Sequence, residues 1–192
     1  MSMYIMYYYV LGLCMYMKYV TASIVANTSM CVCTTVPCPI SGNNTISIGG
    51  GGYGDYQYSN HNGYEVVISA KVSISKNNLD QGTGTTTCTQ EYSRTLDDDG
   101  QEDCDAGHIL ANRLGGPGNQ PINIFPQDLT INRGVYAQYE GTIADCVSAG
   151  NIAILSWYFY YESTSHTKPY QVKYIADYSD GNCTDTTQIF EN

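Results

Sequence analysis

Between residues 105 and 140 the chain reads DAGHILANRLGGPGNQPINIFPQDLTINRGVYAQYE. Two of its side chains suit general-base and cation-assisted chemistry, which needs a proton acceptor and a ligand for a cation. His108 can accept a proton near neutral pH, as a general base must. Asn132 offers a neutral oxygen to a cation, and Mg²⁺ often needs only one or two protein ligands because it keeps most of its waters. The stretch therefore predicts a base and an ion site close together in sequence.

A helix is predicted over residues 132–149, where bulky side chains recur at helical spacing. These side chains are Tyr136, Tyr139, Ile143 and Val147, and Gly150 supplies a stop. Glu140 follows Asn132 by eight residues, which in a straight helix is a rise of about 12 Å and an angular offset of about 80°. Two direct ligands to one ion would be strained at that distance. We therefore expect Asn132 to ligate directly and Glu140 to act through a metal-bound water.

Four ordered segments carry a resemblance to a known family. They are DAGH at 105–108, NRLGG at 112–116, NIFPQ at 123–127, and NRG at 132–134 with Glu140 behind it. This set resembles the DNA/RNA non-specific endonucleases, the ββα-metal or His-Me finger nucleases. The resemblance implies an α+β fold with an antiparallel sheet and a ββα-metal finger, His108 on a strand and Asn132 on the helix. It also implies cleavage of DNA and RNA with Mg²⁺, or with Mn²⁺ or Ca²⁺, to leave 5′-phosphate ends.

Arginines near the motif are candidates for holding phosphate. Arg133 or Arg113 could do so through charge-assisted hydrogen bonds. The best-known members of the family carry arginine between the Asp and Gly of the first segment, where this chain has Ala106. The departure removes a cation from the site unless Arg113 or Arg133 replaces it.

Two further motif residues are expected to support the site. Asn123 would orient groups around it, and Asp105 would fix His108 or its loop. The complete set of candidate catalytic residues is His108, Asn132, Glu140, Arg133, Asn123, Arg113 and Asp105.

Strands are predicted on both sides of the motif. Residues 64–76 alternate apolar and polar side chains, as a half-buried strand does, and 152–161 and 170–178 are similar runs. A shorter strand is predicted at 87–94, after a Thr/Gly-rich loop. We expect these four strands to form an antiparallel sheet against the helix, in a nuclease-like domain of residues 64–192.

Two other segments are predicted to be loops. Residues 27–63 are rich in Gly, Ser, Asn and Thr, which indicates a loop-rich N-terminal segment. Residues 97–105 hold six carboxylates. A solvated acidic loop is favoured, because the EF-hand spacing fails: Thr95 and Ala106 stand at its first and last ligand positions. A weak divalent-ion site there remains an alternative.

The first 26 residues are interpreted as a signal peptide. Residues 3–17 are apolar without a charge, which is too short for a comfortable membrane span, and small residues follow at 22–26. An uncleaved anchor or a buried N-terminal helix is the alternative. Three N-glycosylation sequons begin at Asn27, Asn43 and Asn182. The prediction is a secreted, extracellular glycoprotein with no membrane contact after signal cleavage.

The cysteines agree with an oxidising compartment. The chain has eight, and loss of Cys14 with the signal leaves an odd number, so that one unpaired thiol would allow self-association. Cys31, Cys33 and Cys38 could bind zinc, but no histidine follows at ligand spacing, and disulfides are favoured.

Composition limits the function classes. The 192 residues carry a net charge of −10, with 43% hydrophobic and 14% charged residues. This excludes a basic DNA-coating protein, a coiled coil and a polytopic membrane protein. Substrate grip should be weak and salt-sensitive unless Arg94, Arg113 and Arg133 form a local basic patch. The favoured function is a secreted, metal-dependent, sequence-nonspecific endonuclease. The alternative is an inactive, structural or self-associating glycoprotein with the same fold.

Overall fold

The main element of the protein is a six-stranded antiparallel sheet. The computed structural model describes residues 33–96, 104–179 and 183–192. The sheet strands are β1 (Gly42–Ser47), β2 (Tyr53–His61), β3 (Tyr64–Ile74), β6 (Ala153–Tyr160), β7 (Gln171–Tyr178) and β8 (Thr186–Glu191), hydrogen-bonded in that order. The strands predicted at 64–76, 152–161 and 170–178 are confirmed as β3, β6 and β7.

A separate pair of antiparallel strands carries the first motif segment. These are β4 (Cys104–His108) and β5 (Ile124–Asp128), with His108 opposite Ile124. Between them lie two single 3₁₀ turns, Asn112–Leu114 and Pro121–Asn123. Helical structure begins directly after β5, so that strand, strand and helix form the predicted ββα finger. The α+β fold with an antiparallel sheet is confirmed.

The helix of the finger begins three residues earlier than predicted. It consists of a short α2 (Leu129–Ile131), a π-helical turn (Asn132–Tyr136) and α3 (Ala137–Ser148). The start shifts because the Asp128 carboxylate accepts the Ile131 N–H at 2.9 Å and caps the helix. Asn132 therefore lies inside the first turns of the helix and is not its cap.

The core lies between one face of the large sheet and the helix of the finger. Alternate side chains of β6 face it, and among them Trp157 is fully buried and donates its indole N–H to the Tyr136 hydroxyl at 3.1 Å. Ile143 and Val147 of α3 are also fully buried. Each such side chain contributes about 1.5–3 kcal/mol through burial. This packing fixes the helix, and with it Asn132, on the sheet.

The strand predicted at 87–94 is wrong, because this segment is the helix α1 (Thr87–Leu96). Thr86 and Thr89 cap it reciprocally: the Thr86 N–H reaches the Thr89 hydroxyl at 2.9 Å, and the Thr89 N–H reaches the Thr86 hydroxyl at 3.3 Å. Its buried residues recur at helical spacing and are Thr89, Tyr92, Ser93 and Leu96. Helical packing thus overrides the strand preference of its threonines.

The region predicted as a loop-rich segment also contains regular structure. Residues 42–61 form β1 and β2, and β2 buries Tyr56 and Tyr58 on one face. The glycine-rich run before β2 is a turn in which Gly50, Gly51 and Gly52 all have positive φ. The glycines therefore mark a connection between strands and not an irregular segment.

Two disulfides join described residues, as the sequence predicts for an oxidised protein. Cys33 bonds to Cys88 at the start of α1, and Cys146 at the end of α3 bonds to Cys183. Within the described ranges, no helix is long and apolar enough to cross a membrane. The predicted signal peptide and most of the predicted acidic loop lie outside the described residues.

Candidate active site

His108 ends β4 with its ring held by a backbone carbonyl. Nε2 lies 3.2 Å from the carbonyl oxygen of Thr83. A carbonyl only accepts hydrogen bonds, so Nε2 carries the proton in the neutral ring and Nδ1 is left as an acceptor. Burial lowers the pKa of His108, and the hydrogen bond to Thr83 opposes this only in part. The ring is therefore neutral at pH 7, with one nitrogen able to take a proton.

The loop that holds Thr83 is itself fixed by glycines. The Thr83 N–H donates to the carbonyl of Gly116 at 3.0 Å, and the Gly118 N–H donates back to the Thr83 carbonyl at 3.0 Å. A Cβ at Gly118 would lie 2.2 Å from Nε2 of His108. The backbone at 118 must therefore approach the ring closely, and only glycine permits that.

Asp105 joins the two halves of the finger. Its carboxylate accepts the Asn132 side-chain N–H at 2.9 Å, and Nε and a terminal nitrogen of Arg133 at 2.8 and 2.7 Å. Burial would raise the pKa of Asp105, but the bonds from Arg133 and Asn132 outweigh it and hold the pKa below its ordinary value. Asp105 is expected from the sequence to fix His108 or its loop. In the structure its carboxylate contacts Asn132 and Arg133 of the helix, and the His108 ring contacts Thr83.

Asn132 is oriented by the same contact. Because its amide nitrogen donates to Asp105, the amide oxygen is the atom left for a cation. Among the described residues, no group of three or more His, Cys, Asp or Glu side chains could hold a metal ion. An ion in this region would thus have few protein ligands, as Mg²⁺ commonly does. The residues present fit such an ion through one neutral oxygen.

These side chains share one cleft of about 460 Å³. Its lining includes His108 and Ala106 of β4, Asn132 and Arg133 of the helix, Asp105 between them, and Arg94 of α1. Four of the seven candidate residues, Asp105, His108, Asn132 and Arg133, thus line one cleft. Thr83, which holds the ring, and Gln90, which also lines the cleft, carry no motif signal and are found only from the fold.

Glu140 lies on α3 and is not part of the cleft lining. It is 9% exposed, and burial raises its pKa to about 8, against the charge of Arg113. A Cβ at Gly141 would lie 3.2 Å from the Arg113 guanidinium, which places that group over the same turn of α3. Neither Glu140 nor Arg113 lines the cleft. Arg113 is therefore placed beside Glu140 and not at the expected phosphate position.

Asn123 is fully buried and ties the finger to the large sheet. Its amide nitrogen donates to the Leu110 carbonyl at 2.9 Å, and its amide oxygen accepts both the Leu110 N–H at 2.9 Å and the Tyr56 hydroxyl at 2.8 Å. These bonds fix the backbone two residues beyond His108. Asn123 thus acts on the site through the chain that follows the histidine.

Comparison with known proteins places the chain among nucleases. A family model of DNA/RNA non-specific endonucleases matches residues 50–176. A probable deoxyribonuclease, RhsA of Dickeya dadantii, is 38% identical over 108 residues, which is 56% of this chain. The matched part is 7% of the length of that relative.

Solved nucleases share the fold at low sequence identity. NucA from Streptococcus agalactiae, with no metal bound, has a TM-score of 0.54 and 12% identity over 82% of this chain and 83% of its own. A second structure of that nuclease, with a TM-score of 0.50, holds a magnesium ion. The Sda1 nuclease with a bound zinc ion has a TM-score of 0.55 and 17% identity over 71% of this chain and 74% of its own.

Proposed function

Because the chain belongs to the DNA/RNA non-specific endonuclease family, we propose that it is a metal-dependent endonuclease that hydrolyses DNA and RNA without sequence preference. The observation that carries the proposal is the shared cleft of His108 and Asn132. Both residues line it, and between them they provide an imidazole nitrogen that can take a proton and an amide oxygen that can take a cation. Phosphodiester hydrolysis needs these two groups together.

The residues of the chain divide the reaction between them. Nδ1 of His108 accepts a proton from water as the water oxygen bonds to phosphorus. The bond to the 3′ oxygen breaks, and that oxygen takes a proton from solvent and leaves as a 3′-hydroxyl, which leaves a 5′-phosphate on the other fragment. Thr83 holds the ring through Nε2 and leaves Nδ1 as the acceptor. Asp105 holds Asn132 and Arg133 in place. The low pKa of His108 keeps the base unprotonated at neutral pH.

The cation would be held by the Asn132 amide oxygen directly and by Glu140 through a bound water. When bound, a divalent cation supplies charge neutralisation at the phosphate and at the departing 3′ oxygen. Mg²⁺ is the proposed ion, with Mn²⁺ or Ca²⁺ as substitutes. The magnesium-bound NucA and zinc-bound Sda1 structures support an ion in this fold.

A digestion assay tests this function. Plasmid DNA, linear DNA of mixed sequence and structured RNA are incubated with the protein in Mg²⁺ and in EDTA, and the product ends are tested for a 5′-phosphate with a phosphate-dependent exonuclease. We expect all three substrates to be cut in Mg²⁺ and none in EDTA. No cleavage in any divalent cation would favour the alternative, an inactive glycoprotein with the nuclease fold.

Secretion is a second part of the proposal. The two disulfides support it, as does the exposed position of the sequon residue Asn43 on the edge strand β1. We expect the mature chain to begin between residues 23 and 27 and to carry at least one glycan. Intact-mass analysis of the secreted protein checks this, and a chain that retains Met1 without glycan would contradict it.

A further inference from the structure

We propose that Arg94 of α1 binds the substrate phosphate in the cleft, in place of the arginine that this chain lacks at position 106. This inference rests on the proposed function and names the group that receives the negative charge of the substrate. Position 106 of the site carries no cation. A phosphodiester brings a negative charge into the cleft, and Ala106, which lines the cleft, provides nothing to meet it.

The two arginines of the motif region are already engaged. Arg133 has Nε and one terminal nitrogen bound to Asp105. Its charge is therefore balanced by a carboxylate before any substrate arrives. Arg113 lies over α3 beside Glu140 and does not line the cleft. Arg133 keeps the donors of its other terminal nitrogen, but its charge is already paired with Asp105, and Arg113 lies outside the lining of the cleft.

Arg94 is placed differently. It is exposed and lines the same cleft as His108 and Asn132. Within the part of the chain that the structure describes, no hydrogen bond or ion pair engages its side chain. A guanidinium with its donors available in a cleft matches phosphate oxygens in pairs.

The position of Arg94 follows from how α1 is anchored. The preceding residue, Ser93, is buried and donates its hydroxyl to the backbone carbonyl of Asp105 at 3.3 Å. This bond holds the last turns of α1 against β4 next to Ala106. One turn earlier, Thr89 donates to the carbonyl of Gly118 at 2.9 Å, beside the His108 ring. The helix is thus tied to both ends of the cleft.

One polar face of α1 borders the cleft. Gln90 and Arg94 are four residues apart, on one face of α1, and both line the cleft. Along β4, Ala106 and His108 are two residues apart and therefore lie on the same face of the strand. A cation from α1 and a cation on residue 106 would thus enter the same space. The helix α1 thus supplies the cation that is missing at position 106 of β4.

The test uses four variants of the full chain: Arg94→Ala, Arg94→Lys, the double variant Arg94→Ala with Ala106→Arg, and Lys76→Ala as an exposed cation outside the cleft. Cleavage of DNA is measured in Mg²⁺. Binding of a fluorescent oligonucleotide is measured in EDTA over a range of salt concentrations. Circular dichroism checks the fold of each variant.

We expect Arg94→Ala to lower kcat/KM about 100-fold or more, as loss of one preorganised charge contact does. Arg94→Lys should lose less, and the double variant should recover at least tenfold over Arg94→Ala. The slope of log binding constant against log salt should shrink by about 0.7–0.9 in Arg94→Ala, which is one phosphate contact. Lys76→Ala should match the wild type in all measurements.

Equal activity and an equal salt slope in Arg94→Ala and wild type would overturn the inference while the nuclease function stands. So would a loss of activity with an unchanged slope and no recovery in the double variant, because that combination indicates a structural role. If the wild type does not cut but the slope still shrinks, the phosphate contact holds and the nuclease function fails. If it neither cuts nor changes slope on substitution, both fail.

Discussion

At the scale of single residues, the chemistry depends on which atoms are left over after the fold has made its own hydrogen bonds. His108 uses Nε2 on Thr83 and keeps Nδ1. Asn132 uses its amide nitrogen on Asp105 and keeps its oxygen. Each side chain is held by its donor nitrogen and keeps an acceptor atom, and both residues line the cleft. A base and a cation ligand are thereby oriented before any ligand binds.

The lowered pKa of His108 predicts the acid side of the pH–rate profile. Burial disfavours the charged ring, so the neutral base should persist below the ordinary value of about 6.5. We expect kcat/KM in saturating Mg²⁺ to fall only at pH values under 6.5, and His166→Ala to show the same profile. A midpoint at or above 6.5 would contradict this.

The same lowered pKa affects stability. The unfolded chain binds this proton at a higher pH than the folded chain does, so His108 lowers the free energy of unfolding as the pH falls through 6.5.

The different placements of Asn132 and Glu140 predict different losses of metal affinity. Asn132→Ala removes the amide oxygen in the cleft, so calorimetric Mn²⁺ binding and cleavage should both become undetectable. Glu140→Gln should weaken the affinity only about 10- to 100-fold, as loss of an outer-shell partner does, and excess Mg²⁺ should partly restore the rate. Gln138→Ala, on an exposed position of the same helix, is the control. Equal losses in the two site variants would show that the direct and water-mediated roles are wrongly assigned.

Among the helices and strands, the sequence predicts those that have a regular apolar pattern and misses those whose buried face is determined by tertiary contacts alone. The strands β3, β6 and β7 alternate apolar and polar residues, and the helix of the finger has apolar residues at helical spacing. In α1 the buried face is built from Thr89 and Ser93 together with Tyr92 and Leu96. Half of that face is polar, so no apolar periodicity marks it. The strand β2 is missed for a similar reason, because the glycine-rich run before it makes the segment resemble a loop in sequence.

The same limit applies to the site. The order and residue types of the motif predict that His108, Asn132, Asp105 and Arg133 belong to one site, and the four residues line one cleft. The partners of Asp105 depend on how the helix crosses β4, which no local pattern contains. By sequence Arg113 is a phosphate-binding candidate and Arg94 only part of a possible basic patch, and it is the packing of α1 against β4 that puts Arg94 in the cleft.

The disulfide between Cys146 and Cys183 is expected to stabilise the attachment of α3 to the last strand. It closes a separation of 37 residues, for which chain entropy gives about 3–4 kcal/mol. We expect the double variant Cys146→Ala with Cys183→Ala to lose that much free energy of unfolding in urea denaturation. Thr142→Ala, exposed on the same helix, should change it by less than about 0.5 kcal/mol. An equally small effect of the double variant would contradict the prediction.

For the whole molecule, the negative net charge opposes binding of the substrate. The chain has a net charge of −10, whereas its substrate is a polyanion. Attraction must therefore come from a local cation, and the cleft places Arg94 and Arg133 where the substrate would lie. Because Arg133 is bound to Asp105, few phosphate contacts are available. Such a protein suits abundant nucleic acid better than selective recognition.

This predicts weak binding, as the composition does, but with a shallow salt dependence in place of the salt-sensitive binding expected from the sequence. With one or two phosphate contacts, the affinity for duplex DNA in EDTA should fall by about tenfold or less between 50 and 200 mM salt. Fluorescence anisotropy over this range measures the slope. A fall of about 10³-fold or more would require six or more contacts and would show that a basic surface outside the cleft binds the substrate.

The central claim is that the cleft of His108 is where phosphodiester bonds are hydrolysed. Its most direct test is the single-turnover rate of DNA cleavage in saturating Mg²⁺ for wild type, His108→Ala and His166→Ala. We expect His108→Ala to lose about two to four orders of magnitude in rate, the usual contribution of a general base, with Mn²⁺ affinity unchanged because the ion is held elsewhere. His166→Ala should cut like the wild type. Equal rates for wild type and His108→Ala would contradict the account.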